Sequence, residues 1–275
     1  MIRKALMKIT LLSLIIFLTS PGVFGQVANK QPEELQKIDV RENLGGSIPL
    51  DLEFVNHHGD SVQLAQYFND GIPVILVLAY YECPMLCNLV MNGVSNSIRQ
   101  LDWTPGEEYR ILVISIDPEE TVALAQGKRH RYVEDFGKPV AEDGWVFFVG
   151  EEKMSRELAD SLGFIYYYDE KKDEYAHPAV VFLMTEEGKI SRYLYGIEFK
   201  KQDLRLGLLE AGRGKIGNTL DKVLLYCYHY DPDEGSYTVF AENVMKLGGG
   251  ITVVVLAFFM GGLWVRDRAK KAKQG

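Results

Sequence analysis

Two cysteines three residues apart, Cys83 and Cys87, stand in the run Tyr81-Glu82-Cys83-Pro84-Met85-Leu86-Cys87-Asn88. Directly before it lies Pro73-Val74-Ile75-Leu76-Val77-Leu78-Ala79-Tyr80, an apolar run with the length of a buried strand. A strand that ends in a cysteine pair and opens a helix places sulfur at the helix N-terminus, where the helix dipole favours thiolate over thiol. Pro84 suits the first helical position. Residues at i and i+4 share one face of a helical turn, so both sulfurs face the same side. Two soft thiolates side by side suit a soft metal such as Cu(I). The same Cys83 and Cys87 can act as a redox pair, since Cα atoms one turn apart lie about 6 Å from each other, near the upper end of the range a disulfide allows. A structural disulfide or a pair of inert core cysteines is the plainer reading, but structural pairs rarely sit one turn apart at a strand-to-helix junction.

The elements that must position this pair follow from periodicity. Residues 73–80 read as the first buried strand and about 84–101 as the helix that carries Cys87. A second buried strand over 109–116 ends in Asp117-Pro118, and a helix over about 119–136 is bounded by Gly137 and Pro139. Residues 145–149 read as a short strand, 152–162 as a helix and 164–168 as another strand. A hairpin of 178–185 and 189–195 turns at Glu186-Glu187-Gly188, and 200–210 is the last clear helix. Upstream, 48–54 and 61–64 form a hairpin around Asn56-His57-His58-Gly59-Asp60. Strands that alternate with helices and close on an antiparallel hairpin predict an α/β domain with a mixed sheet. Ligands in such sheets sit at the carboxyl ends of parallel strands, where Cys83 and Asp117 both fall. Residues 215–242, rich in Tyr and Asp, show no clear period and receive no assignment.

Both ends of the chain are expected to meet a membrane. Residues 1–25 read as a signal peptide, with Arg3, Lys4 and Lys8, an apolar stretch over 9–18, and Val23-Phe24-Gly25 as a cleavage site. That stretch is too short to span a bilayer. Residues 26–44 read as a flexible lead-in. Residues 247–265 hold no charge and are long enough to be a transmembrane helix. Arg266, Arg268, Lys270, Lys271 and Lys273 follow it, against Lys246 before it. The positive-inside rule then leaves 266–275 as a basic cytoplasmic tail, and the main domain on the periplasmic side of the inner membrane. Residues 213–246 become the juxtamembrane segment.

The net charge is −8 although that tail is basic, which argues against nucleic acid as a partner. There are 3 cysteines, an odd number, so an exported chain cannot pair all of them internally. The third, Cys227 in Tyr226-Cys227-Tyr228-His229, is open to three readings: accessory copper ligand, resolving thiol or small buried hydrophobe.

Other candidates carry plainer readings beside the sharp ones. His177, in Tyr175-Ala176-His177-Pro178, opens a hairpin strand. Neutral imidazole is a common copper ligand, yet alone such a residue is more often a hydrogen-bonded turn histidine. Asp117 suits a helix N-cap, with Glu120 completing a capping box, or a carboxylate that orients metal ligands. The Met85 thioether could meet Cu(I), but its helical position points away from the sulfurs. His57 and His58 read as solvent-exposed turn residues.

Three motifs in one order carry a resemblance: strand-Cys-Pro-x-x-Cys-helix, the strand end Ile114-Ser115-Ile116-Asp117-Pro118, and the lone His177 opening a hairpin strand. Over about residues 45–210 the chain resembles the Sco/SenC family, thioredoxin-fold copper-binding proteins that help assemble the binuclear copper site of haem-copper (cytochrome c) oxidases. The resemblance implies a thioredoxin-like mixed sheet flanked by helices over 45–212. It implies Cu(I) or Cu(II) held by Cys83, Cys87 and His177, and thiol-disulfide activity of the cysteine pair. It also implies the copper-site subunit of an oxidase as partner. Two thiolates and one imidazole leave a position open for hand-over, whereas a structural zinc site would be closed by a fourth ligand. Family members usually carry an acidic residue where this chain has Ala176, often Pro where it has Asn88, and an N-terminal anchor where it has a C-terminal one. Thioredoxin-like folds usually place a cis-proline opposite the cysteines, which draws attention to the His177-Pro178 bond. The expected function is a membrane-anchored copper metallochaperone. A metal-independent thiol-disulfide oxidoreductase or a copper sensor or scaffold competes with it, and His177 discriminates, because thiol exchange needs only the cysteines.

Overall fold

The structure is a computed structural model that describes residues 38–83, 85–213, 228–231, 236–239 and 241–272. Along the chain come β1 (Asp39–Val40), β2 (Glu53–Asn56), β3 (Ser61–Gln63) and β4 (Val74–Ala79), then helix α1 (Leu86–Arg99) and β5 (Arg110–Ser115). Helix α2 (Val122–Phe136), β6 (Trp145–Val149) and α3 (Glu152–Ser161) follow. Next are β7 (Phe164–Ile165), β8 (Tyr167–Asp169), β9 (Glu174–Ala176), β10 (Val180–Met184), β11 (Ile190–Tyr195) and α4 (Lys201–Ala211). The segments β12 (Tyr228–Asp231), β13 (Ser236–Val239) and α5 (Ala241–Ala272) complete the described chain.

The main sheet has 7 strands in the order β11-β10-β4-β5-β6-β2-β3. Strands β4, β5 and β6 are parallel and buried along their whole length, which is why they read as unbroken apolar runs. Around them β10 and β11 on one side, and β2 and β3 on the other, are antiparallel. The result is the expected mixed α/β sheet flanked by helices. The register aligns Ala79 of β4 with Ser115 of β5, so the loops that leave these two strands start side by side.

Helix α1 packs closely against the loop between β11 and α4. A Cβ built on Gly93 would lie 2.1 Å from the Ile197 carbonyl oxygen, and Ser97 donates to the Phe199 carbonyl at 2.5 Å. In an open helix Gly→Ala stabilises by up to about 1 kcal/mol. Here Gly93→Ala is expected to destabilise instead, by about 1–3 kcal/mol, because the backbone oxygen cannot move aside cheaply. Denaturant midpoints of both proteins check the sign; an unchanged or raised midpoint would show that the contact gives way.

Several expectations need correction. Helix α2 starts at Val122 rather than near residue 119, and its N-cap is Thr121, whose side chain accepts the Leu124 N–H at 3.3 Å. Asp117 instead turns its carboxylate onto the Glu119 N–H at 2.9 Å, in a local turn. His57 is not exposed: it is 2% accessible, and its Nδ1 accepts the Phe147 N–H at 3.5 Å. Burial, followed by the charges of Arg129 and His58, lowers its pKa to about 4. His58 is exposed, as expected.

The single strand expected over 164–168 is two, broken at Tyr166: β7 pairs with β1, and β8 pairs with β9. Part of the lead-in is thus tied down, and Gly163 admits the Arg41 carbonyl 1.9 Å from where a Cβ would stand. The unassigned region contains the antiparallel pair β12 and β13. The expected signal peptide and Cys227 lie outside the described residues. Among the described residues no helix is long and apolar enough to cross a membrane. The span expected over 247–265 is therefore not found among the described residues.

Candidate metal centre

Cys83 ends the loop that leaves β4, and Cys87 lies in the first turn of α1. That helix start has no side-chain cap of the usual kind. The Cys83 Sγ takes the role, accepting the Cys87 N–H at 3.3 Å. The helix expected over about 84–101 runs instead from Leu86 to Arg99, with Met85 as its non-helical N-cap, so Cys83 lies ahead of it in the loop. The two sulfurs are brought together by that loop and its bond to the Cys87 N–H, not by sharing one helical turn. Both cysteines are free and buried.

His177 arrives from far along the chain. Strand β10 runs antiparallel to β4 with Phe182 opposite Leu76. Continued three to five pairs further, that register brings the residues before β10 level with the end of β4, where the cysteine loop begins. The imidazole Nε2 lies 2.9 Å from the Cys87 Sγ. Its Nδ1 lies 3.0 Å from the Pro178 carbonyl oxygen. A carbonyl only accepts, so Nδ1 is the donor in that bond, and Nε2 is the ring nitrogen turned toward the sulfurs. Tyr80 and Phe164 fix the ring, with centroids 6.1 and 6.0 Å from it. The His177-Pro178 bond is trans; the described residues contain no cis peptide bond.

One donor atom from each of Cys83, Cys87 and His177 lies within 4.8 Å of the others, and all three residues are buried. Among the described residues this is the one such group of three or more side chains. Its charge is unevenly placed. The hydrogen bond from Cys87 lowers the Cys83 pKa to about 3, against the opposing effect of burial and with help from His177 and the backbone N–H groups of Cys87 and Met85. Burial, then the neighbouring Cys83 sulfur, pushes the Cys87 thiol strongly up. Cys83 thus holds the negative charge, and Cys87 holds the proton that a metal would displace. The Cys87 sulfur also accepts the Tyr80 N–H at 3.4 Å.

Met85 is 66% exposed and points out of the group, as expected, although it is the non-helical N-cap rather than a residue inside the helix. Asp117 stays in its own turn and outside the group. The residue that sequence reasoning placed wrongly is Glu120. It does not close a capping box; its Oε1 accepts the N–H groups of Tyr81 and Glu82, the latter at 2.8 Å, just ahead of Cys83. The available signal was its position in the acidic run after the Asp117-Pro118 strand end. Nothing local said that its carboxylate would reach across to the neighbouring loop.

With this geometry in place, the comparisons with known proteins point one way. A model of the SCO1/SenC family matches residues 42–205. No curated protein matches the chain. Among solved structures, a protein of Aquifex aeolicus VF5 described as a candidate electron transfer protein is 24% identical, with 62% of this chain and 94% of that chain covered and a TM-score of 0.54. ScoI of Arabidopsis thaliana, solved with copper bound, is 22% identical over 62% of this chain and 99% of that one, with a TM-score of 0.46. BsSco, described as a member of the Sco family of cytochrome c oxidase assembly proteins with a disulfide switch, is 18% identical over 63% and 98%, with a TM-score of 0.49.

Proposed function

The chain belongs to the SCO1/SenC family of copper-binding assembly proteins, and from that premise we propose that it is a copper metallochaperone whose cargo is held by Cys83, Cys87 and His177. The observation that carries this reading is the convergence of two sulfurs and one imidazole nitrogen within 4.8 Å. Two soft sulfurs and an imidazole match Cu(I), and also Cu(II) in a more distorted field. Three protein donors leave a coordination position for the donor or acceptor of the metal. The chain's own residues supply the rest. The His177 Nδ1–H bond to the Pro178 carbonyl keeps the ring oriented, and Cys87 gives up its proton on loading. Anaerobic copper titration of the reduced full chain, with and without His177, tests the assignment. The recipient in this reading is the copper-site subunit of a haem-copper oxidase.

A second reading rests on the free cysteine pair itself. The Cys83 thiolate attacks one sulfur of a partner disulfide and releases the other as a thiolate; Cys87 then attacks the mixed disulfide. Two electrons pass to the partner, whose cysteines end reduced while Cys83 and Cys87 end as a disulfide. The two readings share residues and differ in their need for His177.

The location completes the proposal: signal peptide 1–25, lead-in 26–44, copper domain 45–212, juxtamembrane segment 213–246, a span over 247–265 and cytoplasmic tail 266–275. Its support is the uncharged stretch followed by a basic one, together with the exposed apolar residues Ile251, Val253, Val254, Leu256, Phe258 and Phe259 on the 32-residue helix α5. In intact spheroplasts, added protease is expected to digest the copper domain and spare a tag placed after Gly275. A digested tag beside an intact domain would reverse the orientation.

A further inference from the structure

The loop that presents Cys83 is gripped from both sides by residues outside it. Glu120 is 9% exposed, and its Oε1 accepts the Tyr81 and Glu82 N–H groups. Its Oε2 accepts the hydroxyl of Ser115, a buried residue at the end of β5, at 2.5 Å. On the other side the Asn88 side-chain amide donates to the Cys83 carbonyl at 2.9 Å, and Lys128 in α2 donates to the Asn88 side-chain oxygen at 3.3 Å. With the Tyr80 N–H on the Cys87 sulfur and the Cys83 N–H on the Tyr80 carbonyl, every N–H from Tyr80 to Cys83 has a partner.

A buried carboxylate is costly to keep where an apolar side chain would fill the same space. Its three hydrogen bonds all fall on the loop or on the strand end beside it. Resting on the copper reading above, we propose that Glu120 is the positioning residue of the metal centre. It holds the Tyr81-Glu82 backbone so that the Cys83 sulfur stands ready beside Cys87 and His177, with Asn88 as the counter-grip on the Cys83 carbonyl. Glu120 touches no ligand atom and acts through the backbone that precedes one. The required property is an oxygen acceptor at the right place, and glutamine supplies one. In Glu120→Gln the amide oxygen can take both N–H groups, while the Ser115 hydroxyl turns round to accept from the amide nitrogen.

The test uses the full chain and reads amide exchange at Tyr81 and Glu82, the reduction potential of the Cys83/Cys87 pair, Cu(I) affinity and thermal midpoint. Glu120→Ala is expected to speed exchange at these two amides by about 100-fold, shift the potential, and weaken Cu(I) binding about 10- to 100-fold, the usual effect of losing a group that orients metal ligands. Glu120→Gln should restore all three to within a few-fold. Asn88→Ala should produce a smaller loss of the same kind, and it carries the test if Glu120→Ala fails to fold. A lower midpoint with unchanged exchange, potential and affinity would overturn the proposal, because that is what a merely structural residue gives. Failure of Glu120→Gln to rescue, at a normal midpoint, would also overturn it. If the unaltered chain binds no copper, the metallochaperone reading falls, while exchange and potential still decide whether Glu120 holds the loop.

Discussion

Serine at position 83 or 87 is expected to abolish stoichiometric copper binding. Each substitution replaces a soft sulfur donor with a hydroxyl that stays protonated and matches Cu(I) poorly. Metal sites built on four protein donors gain about 10–16 kcal/mol, so one donor is worth roughly 2.5–4 kcal/mol, or about 100- to 1000-fold in affinity. Cys87 must first lose a proton that burial and the neighbouring charge hold tightly. Anaerobic titration against a competing chelator measures both variants beside the unaltered protein. The apolar packing around the site is untouched by a sulfur-to-oxygen change, so circular dichroism should show the fold intact. Full affinity in either serine variant would remove that cysteine from the centre and end the proposal in its present form.

His177→Ala separates the two readings of the cysteine pair. One of three protein donors disappears, so copper affinity should fall by about 100-fold or more on the same arithmetic. The cysteines keep their own supports: the Cys87 N–H on the Cys83 sulfur and the Tyr80 N–H on the Cys87 sulfur. Disulfide formation and reduction should therefore continue, with a changed rate because the imidazole no longer meets the Cys87 thiol. The decisive comparison takes copper affinity, thiol exchange rate and oxidase assembly from the same variant. Affinity and assembly falling together, with exchange preserved, is the expected pattern. Normal assembly after loss of copper binding would make the oxidoreductase reading the correct one.

How much of this could be read before folding depends on the range of the physics involved. Strands β4, β5 and β6 announce themselves because parallel strands covered on both faces must be apolar at every position. The cysteine pair is legible as a pair at a strand-to-helix junction, but not as one helical turn: the helix starts only at Leu86, and Cys83 is held in the loop before it by Glu120 and Asn88. Thr121 and Asp117 are both good N-cap types, and local rules preferred the wrong one. What decided between them is distant, since Glu120 is drawn into the loop ahead of Cys83, and the helix cannot start until that residue has left it.

His57 sits in an apparent turn, and only the packing of β2 beside β6 buries it. The break at Tyr166 depends on two partners, β1 and β9, that a run of five residues does not reveal. His177 shows the division most clearly. Its type and its place before a strand were visible in the sequence, and the resemblance assigned it to a metal. That its Nε2 meets the Cys87 sulfur, 90 positions away, is set by the antiparallel register of β10 on β4, and that this nitrogen rather than Nδ1 faces the sulfurs is set by the bond of Nδ1 to the Pro178 carbonyl. The sequence by itself determined which atoms could bind copper, because donor chemistry and closeness along the chain are local. Tertiary structure alone decided that they converge, which of them is charged and what holds the loop between them, because register, burial and long-range hydrogen bonds exist only once the chain has closed on itself.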